Sequence, residues 1–189
     1  MVNKLSNLGC LLMMLTEFNY LVDKPLVDNL NQIDDWLVFG SVGFRRKVNI
    51  QRMKLLFYKL IRPVEQNNKG QFFVRFEGDN IKRERHFHFL LGKRGLLTNS
   101  IEKIQKRLKE RTIDLAISDY PEYETCSTKF KLFNPNLDGI RYVSKIAKDE
   151  KENLCGIGLD SCVQGLDWKM SPTLRKRIID INTKRVNHY

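Results

Sequence analysis

The sequence predicts an α+β fold in which helices flank an antiparallel sheet of five strands. Two observations support this prediction: a β-hairpin pattern over residues 71–91, and helical repeats on either side of it at 49–62 and 100–108. Strands that are joined by a hairpin turn pair in antiparallel fashion. With 189 residues, of which 42% are hydrophobic, the chain is long enough for one domain with a substantial core.

The elements of the first half follow in order. The apolar run 36–42 is short and partly β-branched, which predicts a buried strand. Asn49 is a predicted N-cap of a helix that ends before Pro63. The runs 71–77 and 85–91 then form the two hairpin strands, separated by turn-forming residues.

The second half is predicted to complete the sheet. Ser100 is expected to cap a helix, and strands are expected at 113–117, where apolar and polar residues alternate, and at 130–133. A helix is predicted to begin near residue 137 or 138, and a basic helical segment covers 173–182. We therefore expect a central domain over 34–155, a helical N-terminal extension over 1–33 and a basic C-terminal extension over 156–189.

The net charge of +11 is unevenly distributed along the chain. Residues 45–62 carry seven Lys or Arg and no acid, and residues 81–111 carry ten against three Glu, whereas residues 1–36 are mildly acidic. This concentration around the hairpin favours a polyanionic partner near a site on it. Charge alone fits a solubilising surface equally well.

The cysteines and the N-terminal apolar run bear on location. The four cysteines form no C-x-x-C pair, which is typical of reduced thiols in a reducing compartment. The apolar stretch 8–15 is too short to span a bilayer and lacks a small-residue cleavage site. We expect an intracellular protein, in the cytoplasm or nucleoid of a host cell, with no membrane partner.

Two of the three histidines, His86 and His88, lie two residues apart on the second hairpin strand. Alternate residues of a strand share a face, so both imidazoles point away from the apolar residues between and around them. On the partner strand the same alternation brings Glu77 to the side of the two histidines. Glu77, His86 and His88 therefore form a predicted three-ligand site with open positions, suited to a catalytic divalent ion. The alternative is an exposed strand that has histidines beside an acid.

Tyr142 and Lys145 are the second predicted group. Three residues apart on the predicted helix, they would share a face. An activated tyrosine is a covalent nucleophile, and a nearby lysine stabilises a phenolate or a phosphate charge. Tyr120 and Tyr123 are alternative nucleophiles in a predicted loop, but neither is followed by a lysine three residues later.

These motifs together resemble those of the HUH endonucleases, which are named for a histidine–hydrophobe–histidine strand. His86-Phe87-His88 matches the metal motif, Glu77 takes the place of the acidic ligand, and Tyr142-Val143-Ser144-Lys145 matches the tyrosine motif. Within that superfamily the chain is most similar to single-tyrosine rolling-circle replication initiators. The match covers about residues 34–150 and departs from the family at Gly40, Ser41 and Gly43, where relatives usually carry threonines, and at Ile146, where many have a second aromatic residue.

The resemblance implies a ferredoxin-like HUH nuclease fold and a metal-dependent transesterification. With Mg²⁺ or Mn²⁺ held by the three ligands, Tyr142 would attack single-stranded DNA at an origin or hairpin, helped by Lys145, and form a 5′-phosphotyrosine link. Because the chain contains no P-loop motif, unwinding would need a partner such as a separate host helicase, or the DNA would already have to be single-stranded. The residues expected to contact DNA are Arg45, Arg46, Lys47, Arg75, Arg85, Lys93, Arg94 and Arg141.

Two alternatives remain open on the sequence. An HUH-type single-tyrosine transposase would share the metal site and the helix tyrosine, although the lysine at position 145 favours an initiator. A non-catalytic nucleic-acid-binding protein with a ferredoxin-like sheet would instead use Phe72, Phe73 and Phe87 as stacking platforms. That second alternative requires exposed aromatic rings where the strand alternation predicts buried ones.

Overall fold

The computed structural model describes residues 21–22, 24–45, 48–77, 85–117, 125–137, 139–146 and 168–186. Five helices and seven strands lie within these ranges. In chain order they are β1 (Leu21–Val22), α1 (Lys24–Asn31), β2 (Trp36–Phe44), α2 (Ile50–Ile61), β3 (Phe72–Glu77), β4 (His86–Gly92), α3 (Ile101–Ile117), β5 (Thr125–Leu132), α4 (Gly139–Val143), β6 (Lys145–Ile146), β7 (Trp168–Met170) and α5 (Pro172–Val186).

Five of the strands form one open antiparallel sheet in the order β5-β2-β4-β3-β7. The hairpin of β3 and β4 lies at its centre, and β2 pairs with β4 on the side away from β3. The predicted α+β architecture, with a five-stranded antiparallel sheet and flanking helices, is confirmed at this level.

Both faces of the sheet are covered because its central strands are apolar on both sides. On one face, Phe87 and Phe89 pack with residues of α2 and α3 in a single core. On the other face, Phe73 and Leu90 pack with residues of α1, α4 and α5 in a second core. The histidines of β4 lie on the second face, the one that α4 covers.

The strand predicted at 113–117 is wrong, because these residues form the last turns of α3. Leu108, Thr112 and Leu115 are buried at helical spacing, while Ile113 is 57% exposed. The fifth strand of the sheet is instead β7, and β5 begins five residues earlier than the predicted strand at 130–133.

The helix that carries Tyr142 is shorter than predicted. It runs over five residues and ends at Val143, and Lys145 lies in β6, where it pairs with Val22 of β1. The prediction that Tyr142 and Lys145 share one helix face is therefore wrong. Pairing with β1, which lies 123 residues earlier in the chain at Val22, takes the place of a further helical turn.

Part of the predicted C-terminal extension shares the central sheet. Strand β7 pairs with β3 at one edge, and the Ser171 hydroxyl accepts a hydrogen bond from the Phe72 amide at 3.0 Å. From α5, Leu174 and Ile178 are fully buried in the second core. In the predicted N-terminal extension, α1 packs in the same core, and residues 1–20 lie outside the described residues.

Among the described residues, none of the helices combines the length and apolar character that crossing a bilayer requires.

Candidate metal centre

The register of the β3–β4 hairpin places three potential metal ligands together. Glu77 lies directly opposite His86, and His88 lies two residues further along β4 on the same face. The Glu77 Oε2 and His86 Nε2 atoms are 3.1 Å apart, and one ligand atom from each of the three residues lies within 4.8 Å of the others. The prediction that Glu77 shares a face with both histidines is confirmed.

Burial of this cluster increases along β4. The side chains of His86 and Glu77 are 20% and 17% exposed, whereas His88 is 5% exposed. The two imidazole rings have centroids 4.8 Å apart and planes inclined by 75°. One side of the cluster is therefore accessible from solvent, and the other is closed by the protein.

The donor set suits a divalent ion. Two imidazoles and one carboxylate leave coordination positions open for substrate, unlike the closed four-ligand set of structural zinc sites. Two ligand atoms at right angles around an ion, each about 2.1 Å from it, lie roughly 3 Å apart. The distance of 3.1 Å between Glu77 and His86 fits such a pair.

Tyr142 lies beside this cluster. Its ring meets the ring of His88 edge to face, with centroids 4.5 Å apart and an interplanar angle of 89°. Ile140 and Val143 are buried in the second core on either side of it, and these residues fix α4 against the sheet. The chain thus brings a half-buried tyrosine to the inner side of the three-ligand cluster.

Phe39 of β2 completes the wall of the site, and sequence reasoning missed it. Its ring stacks parallel to His88, with a centroid distance of 6.1 Å, and lies edge-on to Tyr142 at 6.2 Å. The available signal was alternation in β2, which places Phe39 and Ser41 on one face, with Ser41 directly opposite His88. Because the run 36–42 is mostly apolar, the sequence predicts a buried strand there but does not indicate which of its residues face the histidines.

Gly40 faces the opposite core, and there the sheet has no space for a side chain. A Cβ atom at this position would lie 2.1 Å from Cζ of Phe89, whose side chain is fully buried. This contact explains why position 40 is occupied by glycine.

Comparison with models of known protein families and with curated protein sequences gave no match. The chemistry of the site therefore has to be inferred from its residues and their geometry.

The predicted DNA-contacting residues differ in their exposure and in their position relative to the cluster. Arg141 and Arg45 are exposed, the first immediately before Tyr142 and the second at the end of β2. Arg75 lies directly opposite His88 and is 7% exposed, which leaves little of it accessible to a large ligand. Arg46 and Lys47 lie outside the described residues.

Three other cations are not brought to the cluster. The Arg85 guanidinium donates a hydrogen bond to the Val48 carbonyl oxygen, next to the start of α2. Lys93 and Arg94 are exposed but follow the far end of β4, roughly 20 Å from His86 at about 3.3 Å per residue. Arg94 instead lies 3.9 Å from a carboxylate oxygen of Asp35.

Of the remaining predicted residues, Lys145 follows Tyr142 by three positions but belongs to β6, as described above. Its side chain lies outside the description, and so do the alternative nucleophiles Tyr120 and Tyr123. Phe72, Phe73 and Phe87 are at most 4% exposed, so they cannot serve as stacking platforms for bases. This burial removes the main support for the non-catalytic alternative.

Proposed function

We propose that this chain is an HUH-type endonuclease with a ferredoxin-like nuclease fold, a single-tyrosine initiator of rolling-circle replication that cuts and rejoins single-stranded DNA at an origin. The observation that carries the proposal is the contact between Tyr142 and His88 within a cluster of one carboxylate and two imidazoles. A nucleophile next to an open three-ligand site is the arrangement that metal-dependent phosphoryl transfer requires.

The independence of the contributing elements supports this proposal. The ligands come from β3 and β4, the tyrosine from α4 and the aromatic wall from β2. If these residues were merely polar surface residues, there would be no reason for four separate elements to bring them to one place. Their order along the chain also agrees with the order of the motifs that the sequence shares with HUH endonucleases.

The metal ligands in this proposal are Glu77, His86 and His88. A bound Mg²⁺ or Mn²⁺ ion supplies Lewis-acid polarisation of the scissile phosphate and stabilises the charge that develops on it. The paired strands β3 and β4 hold the three side chains on one surface, which limits the cost of ordering them when they bind a metal ion.

Tyr142 is the nucleophile in the proposed step. Its phenolic oxygen attacks the phosphorus atom, a new P–O bond to the tyrosine forms, and the bond from phosphorus to the 3′-oxygen breaks. The phenol loses one proton and the leaving 3′-oxygen takes up one, so the step is neutral in protons. The product is a 5′-phosphotyrosine link and a free 3′-hydroxyl, and attack by a 3′-hydroxyl reverses the step and rejoins the strand.

The residues around Tyr142 orient it and limit access of water. Phe39 and His88 contact its ring on two sides, and the buried side chains of Ile140 and Val143 anchor its helix. Arg141, which is exposed and precedes the tyrosine in sequence, would contact the phosphates of an incoming strand. In the cell, we expect a separate helicase to supply the single strand.

Adduct formation on a single-stranded oligonucleotide tests the proposal. Full-length protein is incubated with labelled DNA that carries the origin of the element encoding it, with Mn²⁺ or with EDTA, and separated on a denaturing gel. We expect a covalent adduct with Mn²⁺ that is absent with EDTA and lost in Tyr142→Phe, because only the phenolic oxygen has been removed.

Tyr58→Phe is the matched control, because Tyr58 lies on α2 across the sheet from the cluster. It should form the adduct like wild type. An adduct that persists in Tyr142→Phe would contradict the assignment of the nucleophile, and an adduct that forms equally in EDTA would contradict the metal-dependent mechanism.

A further inference from the structure

Helices α2 and α3 lie on the face of the sheet opposite the metal centre. Leu56 and Phe57 of α2 and Leu108 of α3 share the core that contains Phe87 and Phe89. His86 and His88 alternate with these two phenylalanines along β4, so their imidazoles point to the other side. The central sheet therefore separates the outer surfaces of α2 and α3 from the candidate active site.

This outer surface carries much of the positive charge of the protein. The α2–α3 surface, defined as α2, its C-cap residue Arg62 and α3, contains nine Lys or Arg and three Asp or Glu, a net charge of +6 out of +11 for the whole chain. The cations are Arg52, Lys54, Lys59, Arg62, Lys103, Lys106, Arg107, Lys109 and Arg111; the acids are Glu102, Glu110 and Asp114.

Contacts between the two helices position two of these cations, Arg107 and Arg111. Arg111 donates from Nε to the Lys59 carbonyl oxygen at 3.3 Å, and Arg107 donates from Nη1 to the Pro63 carbonyl oxygen at 3.4 Å. Both arginines reach from α3 to the C-terminal end of α2. Their guanidinium groups consequently lie along the boundary between the helices rather than extending separately into solvent.

The acids of this surface neutralise it only weakly. Lys106 and Glu110 are 3.9 Å apart, and Arg111 and Asp114 are 4.0 Å apart, with both acids more than half exposed. Exposed pairs of this kind contribute little to stability, because solvent screens the attraction between the two charges. Phosphates could therefore replace these carboxylates at little cost.

We propose that the α2–α3 surface is a second nucleic-acid site, which binds the phosphate backbone of duplex DNA while the opposite face acts on a single strand. Charge complementarity favours a regular polyanion, because the cations project from two packed helices rather than from one point. Contacts to phosphate alone carry no sequence information, so this site positions duplex DNA and does not read it.

The aromatic content of the surface favours a duplex over a single strand. Single-stranded DNA is bound through exposed rings on which its bases stack. Among the described residues of α2 and α3, Tyr58 is the aromatic residue with substantial exposure, and the Lys169 ammonium lies 5.5 Å from its ring centroid. The ring also packs against Phe57 and Phe72, which further limits its use as a stacking platform.

Duplex binding is measured on the full-length protein with a labelled 30-base-pair duplex in EDTA, so that no cleavage contributes. The test variant is Lys103→Gln with Lys106→Gln, and the matched control is Lys176→Gln with Lys184→Gln, which removes two exposed cations from α5 across the sheet. For two lost phosphate contacts we expect affinity to fall on the order of tenfold at 0.1 M salt. The slope of log K against log salt should fall by about 0.9 for each contact.

Other outcomes would overturn the proposal. Equal weakening by both double variants would indicate a general charge effect, and duplex binding that neither variant changes would place the duplex elsewhere. Absence of duplex binding by wild type, together with binding to vesicles that contain anionic lipid, would assign the surface to a membrane instead.

This inference goes beyond nicking and does not depend on it. Tyr142→Phe should bind the duplex like wild type, and the Lys103/Lys106 variant should form the covalent adduct on a single-stranded oligonucleotide like wild type. Wild-type protein that binds the duplex but forms no adduct would therefore refute the proposed nuclease alone, and wild-type protein that forms the adduct but does not bind the duplex would refute the duplex site alone.

Discussion

His88 connects the three-ligand cluster with Tyr142. Its imidazole lies 4.8 Å from that of His86, between ring centroids, and 4.5 Å from the ring of Tyr142. Because the side chain is 5% exposed and stacked on Phe39, its orientation is set by packing. A ligand held in this way keeps both its position in the cluster and the distance of the cluster from the nucleophile.

Glu65 is a buried acid outside the site, and it makes stability depend on pH. Burial raises its pKa above the ordinary carboxyl value, and the nearby Arg62 partly offsets this effect. The folded protein therefore binds a proton at a higher pH than the unfolded chain does. Stability falls as pH rises from the ordinary pKa through the raised one.

We expect Glu65→Gln to increase the free energy of unfolding at pH 7, because the amide removes a buried negative charge. The gain should shrink as the pH is lowered and the wild-type carboxyl becomes protonated. Urea unfolding at a series of pH values measures both effects. Glu110→Gln, at an exposed position on α3, is the control; a gain in Glu65→Gln that grew toward low pH would contradict the prediction.

Among the elements, the hairpin was predictable because its information is local. Apolar and polar residues alternate over 74–77 of β3 and 86–89 of β4, and this phasing alone brings Glu77 to the side of His86 and His88. Asn49 was likewise identified as the cap of α2, where its side chain accepts a hydrogen bond from the Arg52 amide at 2.8 Å. Each of these features is determined by neighbours in sequence.

The sequence predictions were wrong where secondary structure depends on residues far away in the chain, or where the hydrophobic pattern covers only a few residues. Five alternating residues at 113–117 fit a strand, but they also continue the buried stripe of α3. Similarly, Lys145 fits a helical turn after Tyr142, and only its pairing with Val22 shows that the chain has become extended. A pattern of five residues cannot distinguish these cases, because tertiary pairing overrides local preference.

Two substitutions in α3 distinguish the helix from the predicted strand. In a strand, Ile113 and Leu115 would share a face, whereas in α3 they are 57% and 2% exposed. We expect Leu115→Ala to lower the free energy of unfolding by about 2–4 kcal/mol, because it leaves a cavity in the core. Ile113→Ala should change it by less than about 0.5 kcal/mol.

Chemical unfolding of both variants provides this measurement, and the comparison contains its own control. Similar losses at the two positions would indicate a shared buried face and would contradict the helical assignment.

At the scale of the whole molecule, the C-terminal segment was the hardest part to predict. The helix expected over 173–182 is present within α5, but its apolar stripe is too weak to predict that it packs on the sheet. Strand β7 has only three residues, and its place in the sheet becomes apparent only through its pairing with β3, about 95 residues earlier in the chain. The location of the basic charge was also not predictable from the sequence. The basic segments are expected around the hairpin, but α2 and α3 carry much of this charge on the face of the sheet opposite the metal centre.

Arg177 of α5 joins three distant parts of the chain. Its guanidinium donates hydrogen bonds to carboxylate oxygens of Asp34 and Asp35 and, at 3.0 Å, to Oε1 of Gln71. Gln71 is fully buried and also donates to Asp35 at 3.0 Å. This network fixes α5 to the starts of β2 and β3.

We expect Arg177→Ala to lower the free energy of unfolding by about 1–3 kcal/mol, because Asp35 and Oε1 of the buried Gln71 lose the guanidinium that donates to both of them. Urea unfolding measures the change. Lys176→Ala removes an adjacent exposed cation and should change stability by less than about 0.5 kcal/mol. Equal effects of the two substitutions would show that the network contributes nothing specific.

The two-residue ladder between β1 and β6 has a mechanical consequence for the proposed nuclease. A DNA strand joined to Tyr142 would transmit any tension on it, for example from a helicase, to a helix of only five residues. Beyond Val143 and Ser144, that tension reaches the hydrogen bonds of Lys145 and Ile146 with Val22 and Leu21. If the proposed link forms, β1 would act as a mechanical anchor for the linked strand, and the force needed to displace the tyrosine would depend on it.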